Sequence, residues 1–183
     1  MPTMPDHNEV IDFWFHEITP EYWFKKDADF DVLIKEKFEK AITQALAGRL
    51  DSWADNDAGC LALIIVLDQF TRNVYRDTPR AFAGDEMALA LSLRCKDRGY
   101  LKHADANWRH FMLMPMMHSE DIQIQDASLS LFKELTTDLT YGFAVKHRDI
   151  IARFGRFPHR NAILGRPSTD EETDFLKQPG SSF

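Results

Sequence analysis

Two cysteines, Cys60 and Cys95, are all that 183 residues contain. Each lies in an apolar pattern of helical spacing without a metal-type neighbour, so both read as buried thiols and no disulfide framework is expected. The longest apolar run, Cys60 to Leu67, is far too short to span a bilayer. The first ten residues, MPTMPDHNEV, have no basic stretch followed by an apolar one, so no signal peptide is expected and the cytoplasm is the default location. No segment alternates apolar and polar residues with period two, which argues against half-buried strands. Phosphate-cradling glycine loops, nucleophile elbows and C-x-x-C pairs are also missing. Positive charge is scarce: the net charge is −7, which argues against non-specific association with nucleic acid or anionic lipid.

What is present reads as helices with punctuation. Hydrophobic residues make up 44% and charged residues 28%, the balance of a globular protein, and the length suits one domain spanning residues 1–183. Asp6 and Glu9 form a capping box before an apolar run. Asp27 caps a helix whose apolar positions include Phe30, Leu33, Ile34 and Phe38, and Gly48 stops it. A third helix runs from about Asp57 to Tyr75, and its first half is apolar all round, as at the centre of a bundle. Thr19-Pro20 and Thr78-Pro79 have the form of an N-cap followed by the first helical position. Further helices are expected near 85–96, 105–117, 119–142 and 143–154, the last ended by Gly155. A final capping box is expected at Ser168 and Glu171. Residues 178–183 read as a frayed tail. The expectation is an all-α fold of seven to nine helices in a single compact domain.

Several polar groups interrupt these apolar patterns. Asp68 and Arg72, and likewise Gln69 and Asn73, are four residues apart on neighbouring stripes of the third helix. A buried Asp or Arg is costly unless paired, so these residues either neutralise each other at the bundle's end or line a cavity floor. His118 and Glu120 lie between two helices, where His118 is either a structural group or an acid/base. From Lys146 to Arg166 six cationic residues face one acid, Asp149; the segment carries +5 and leaves −12 for the rest of the chain. Arg153, Arg156, His159, Arg160 and Asn161 lie there among Phe154, Phe157 and Pro158. The arginine fork suits carboxylate or phosphate, but the same residues can equally brace the fold against acids of other helices.

These segments together resemble the bacterial domain of unknown function 924 family. The resemblance rests on FWF at 13–15, WFKKDADFD at 23–31, LALIIVLDQFTRNVYRDTPRAFAGD at 61–85, MPMMHSED at 114–121, Gln125 with Ser128, and HRDIIARFGRFPHRNAILGRPSTDEETDFL at 147–176. Thr71 stands where family members usually have Pro, which leaves the helix uninterrupted by that residue. The resemblance implies an all-helical array similar to tetratricopeptide repeats and no established activity.

Two functional classes follow. One is a binding module whose Arg/His-rich pocket takes a small anionic ligand or an acidic peptide terminus. The candidate set is Asp68, Gln69, Arg72, Asn73, His118, Glu120, Arg153, Arg156, His159, Arg160 and Asn161. The other is a metal-independent hydrolase or transferase with His118 or His159 as acid/base and Arg156 and Arg160 holding an anionic substrate. A metal site of His118, Glu120, His147 and His159 is disfavoured because the four share no spacing rule. No cofactor, nucleic-acid partner or membrane is expected, and the protein is read as a monomer or homodimer.

Overall fold

Every residue from Gly59 to Thr71 is buried, and the fold is built around that run. The computed structural model describes residues 4–183, and among them there is no β-strand. The α-helical segments are α1 (His7–Asp12), α2 (Ala28–Leu46), α3 (Asp57–Ile64), α4 (Thr71–Val74), α5 (Asp85–Asp97), α6 (Ala106–Met117), α7 (Ile122–Leu135), α8 (Asp138–Phe154) and α9 (Asp170–Leu176). α3 and α4 are joined by a π-helical stretch, Ile65–Phe70, into one continuous central rod. The Asn56 side chain, accepting from the Gly59 amide at 2.8 Å, starts the rod as a helix.

α3 is covered by α1, α5, α6 and the short turn Asp51–Asp55, and α2 lies against the π stretch. A cluster of aromatic rings ties α1 and α2 to it: Phe38 stacks on Phe70 at 4.9 Å, and Phe13 meets Phe38 at 5.1 Å. α6, α7 and α8 follow as successive neighbours, α7 and α8 separated by the sharp turn at Thr136 and Thr137. α9 closes the array against the Pro158–Arg160 turn.

Local signals explain most boundaries. The Asp6–Glu9 capping box is complete, and Asp27 and Asp105 cap α2 and α6. Gly48, Gly99 and Gly155 take the left-handed conformation where α2, α5 and α8 end. Four readings need correction. The helix expected to run from 119 towards Gly142 stops at Leu135, because Thr137 caps a new helix at Thr140 and carries Gly142 inside α8. The last capping box uses Thr169 and Glu172, one residue later than Ser168 and Glu171. Leu33 is exposed, and α2 meets residues 65–70 with its Phe30, Ile34 and Phe38 face. Residues 178–183 fold back: Ser181 is buried and the Phe183 ring stacks on His147 at 3.7 Å.

Two cysteines far apart in sequence meet inside. Cys60 and Cys95 are free and buried, with their Sγ atoms 3.3 Å apart.

Gly84 opens α5 directly against the central rod, where an added Cβ would overlap the Leu67 backbone carbonyl. Gly142, by contrast, has open space around its missing side chain. Gly84→Ala should therefore destabilise the protein, whereas Gly142→Ala should stabilise it by about 0.5–1 kcal/mol, the helix-interior advantage of Ala over Gly. Leu63→Ala, at the buried centre, should cost about 2–5 kcal/mol. Urea unfolding of the three variants checks all of this; equal effects at the two glycines would contradict the packing described.

Candidate functional site

Asp68 is completely buried in the π stretch, and three side chains converge on it. His118, the C-cap of α6, places Nδ1 2.6 Å from Oδ1; Gln69 donates Nε2 to Oδ2 at 2.7 Å; Arg72 reaches Oδ1 at 3.2 Å. Arg72 also forks onto Asp85 of α5, at 2.8 and 3.0 Å. Burial alone would raise the Asp68 pKa, but His118 and Arg72 outweigh it and hold the carboxyl well below the usual carboxylate range. His118 is pulled the other way: burial and Arg72 lower its pKa against the attraction of Asp68. At neutral pH the pair is Asp68 carboxylate and neutral His118, with Nδ1–H donating and Nε2 left with its lone pair.

Above this pair lies a cavity of about 500 Å³. Its wall carries Gln69, Arg72, His118, His147, His159 and Arg160, with apolar surface from Phe24, Phe82, Met114, Phe157 and Phe183. Arg160 is 6% exposed. It donates Nη2 to the His118 carbonyl at 3.0 Å, stands 3.5 Å from Asp85, and lies over the rings of Phe82 and Phe157 at 4.7 Å each. Its Nε has no partner in the protein, and neither has His159 Nδ1. Burial, then Arg72, pushes the Arg160 pKa down to about 10, so it remains a cation at neutral pH.

The cavity wall bears four cations, Lys26, Arg72, Arg76 and Arg160, and one acid, Asp77. Asp68 and Asp85, with Asp31 holding Arg76 at 2.8 and 2.9 Å, neutralise the arginines from outside the wall. The guanidinium groups border the cavity while their counter-charges sit behind them.

Of the candidates read from the sequence, Gln69, Arg72, His118, His159 and Arg160 line the cavity, with Asp68 beneath the wall rather than on it. Five candidates are not. Asn73 donates to Asp31 at 2.7 Å on the α2 side and does not line the cavity with Gln69. Glu120 accepts from the Phe157 amide at 2.8 Å and from the Arg166 fork at 2.8 and 2.9 Å. Arg156 forks onto buried Glu172 at 2.7 and 2.8 Å, and Asn161 donates to Ser168 at 3.1 Å. Arg153 pairs on the surface with Glu171 at 2.8 Å. These residues brace the C-terminal segment. Glu120 is turned to Arg166, so the four residues weighed as a metal set share no centre. Among the described residues no group of three or more His, Cys, Asp or Glu is placed to hold a metal ion, and no helix is long and apolar enough to cross a membrane.

Arg76, Lys26 and three aromatic walls escaped the sequence reading. Phe82 follows the Thr78-Pro79 turn, a signal that could have placed it beside the central rod; nothing local marks Phe24 or Phe183.

Burial pushes the pKa of His147 down to about 3, and those of His159 and His110 down to about 4. In the unfolded chain histidines titrate near 6.5. The unfolded chain therefore binds protons that the folded one refuses, so stability present above pH 6.5 falls as the pH drops towards 4. Each histidine contributes a slope of at most about 1.4 kcal/mol per pH unit. The carboxylates with lowered pKa, Asp27, Asp68, Glu120 and Glu172, add to the loss only as the pH falls through the ordinary carboxylate range and below it. Urea midpoints should drop between pH 7 and 5, and His147→Gln should flatten that drop. Stability unchanged over this interval would contradict the burial of neutral histidines.

The bacterial family of unknown function DUF924 matches the chain over residues 10–180. No curated protein matches it. The solved structure of a protein of unknown function from Agrobacterium tumefaciens is similar, with a TM-score of 0.89 and 38% identity, covering 93% of this chain and 96% of that one. A family match over nearly the whole length, with a solved fold this close at that identity, establishes that the chain belongs to the DUF924 family.

Proposed function

We propose that the protein binds a small organic anion, a carboxylate or phosphate on an apolar or aromatic body, in the cavity between the central rod, α6, α8 and the 157–160 turn. The observation that carries this reading is Arg160, a buried guanidinium on the cavity wall that keeps its positive charge between the rings of Phe82 and Phe157. A cation held in such a low-dielectric wall attracts an anion more strongly than the same charge in water. His159 lines the same wall. The volume of about 500 Å³ lies within the common range for small-molecule sites. It suits a small anion, or the terminal carboxylate of a peptide entering a concave helical array of the tetratricopeptide-like kind.

Arg156, expected from the sequence to hold the ligand beside Arg160, is committed to Glu172. The two arginines therefore separate in experiment. Thermal midpoints titrated with phosphate, sulfate, acetate and benzoate should rise with the logarithm of concentration for at least one anion, by the equivalent of about 2.7 kcal/mol at one hundred times Kd. Arg160→Gln should abolish that rise. Arg156→Gln should lower the starting midpoint and leave the rise intact. A wild type that none of these anions stabilises, or a response lost with Arg156 and kept without Arg160, would overturn the reading.

A further inference from the structure

An anion site needs cations and apolar walls; it has no use for a buried carboxylate hydrogen-bonded to a cavity-lining histidine. Asp68 and His118 form such a pair at 2.6 Å. Nδ1 is committed to Asp68, so Nε2 is the atom the ring has left for the cavity. Asp68 is itself fixed by Gln69 and Arg72, so neither its position nor the tautomer of His118 is free to change. A carboxylate holding the far nitrogen of a neutral imidazole is the orienting half of a general-base device.

Beside the histidine stands the complementary part. Arg160 donates to the His118 backbone carbonyl at 3.0 Å, which fixes the guanidinium at the end of α6, and both residues line the cavity. A fixed cationic donor next to a fixed base, in a cavity walled by phenylalanines, is placed to meet negative charge that develops on an oxygen.

We infer that the cavity hydrolyses carboxylic esters of small acids, with His118 as general base, Asp68 as its positioning residue and Arg160 as the group that stabilises the oxyanion. This rests on the anion-site reading, because the carboxylate that the cavity binds is then the product of the reaction. His118 Nε2 removes a proton from a water as the water oxygen bonds to the ester carbonyl carbon. The carbonyl electron pair moves onto oxygen, and Arg160 holds the resulting anion. On collapse the carbon–oxygen bond to the alcohol breaks, and the departing alkoxide takes the proton from His118 Nε2. One water and one ester give one alcohol and one acid, which loses its proton to solvent. Neither an external nucleophile nor a redox partner is required.

The test uses the full chain with p-nitrophenyl acetate and p-nitrophenyl benzoate, following p-nitrophenolate release, alongside benzoate thermal titration. Wild-type protein should hydrolyse at least one ester above the buffer rate. His118→Gln should lower kcat/KM by about 100-fold or more, the usual contribution of a positioned base, while keeping the benzoate-dependent rise in midpoint. Arg160→Gln should lose both. A second measurement needs no variant: the wild-type rate should be level from pH 7 to 8 and fall at lower pH as His118 gains a proton. A rate that climbs tenfold per pH unit throughout, like hydroxide attack, would overturn the inference, as would a folded His118→Gln protein with undiminished turnover. Benzoate binding without ester hydrolysis would sink the catalytic inference alone. His118-dependent hydrolysis without any anion response would sink the binding reading instead.

Discussion

One carboxylate decides how the polar parts of this fold are arranged. Asp68 is buried at the middle of the central rod, and an isolated charge there would be prohibitively expensive. Its satisfaction draws His118 in from the end of α6, turns Gln69 and Arg72 towards it, and through Arg72 recruits Asp85 from α5. Asp85 in turn faces Arg160 of the C-terminal segment. Four separate parts of the chain are thus oriented by a chain of charges that begins at a single residue. Removing either end of such a network leaves a buried charge without its partner, the most damaging kind of loss in an interior.

The arginines divide into two populations by where their acids sit. Arg156 and Arg166 face Glu172 and Glu120 across the 154–172 region and consume their hydrogen-bonding capacity there. Arg72, Arg76 and Arg160 also have acids, but those acids lie outside the cavity wall. Net charge says little about either group, because each is close to neutral when its acids are counted. Position relative to the wall, rather than the sum of charges, gives the cavity its cationic surface.

The helices were legible because their signals are local. Asp6, Asp27 and Asp105 cap within three residues of themselves, and Gly48, Gly99 and Gly155 terminate through their own backbone angles. Asp68, Arg72, His118 and Arg160 were legible as candidates because each is costly to bury alone. Which arginines serve the cavity was not, since Arg156 and Arg160 look alike in sequence and differ only in whether Glu172 reaches them. Asn73 misled for a different reason. The spacing rule sets it near Gln69, but its amide is taken by Asp31 of α2, 42 positions away, a partner that no local pattern marks. Thr71 follows the π stretch and continues the rod, and its hydroxyl donates to the Leu67 carbonyl at 2.7 Å.

The paired thiols supply a clock. Cys60 and Cys95 face each other between α3 and α5, and neither presents any surface to solvent. A thiol-specific reagent can reach them only when these two helices part. The speed at which such a reagent consumes them under native conditions therefore counts how often the centre of the molecule opens, much as amide exchange does for the backbone. A protein whose only sulfhydryls are locked in its middle carries a built-in reporter of its rarest fluctuation.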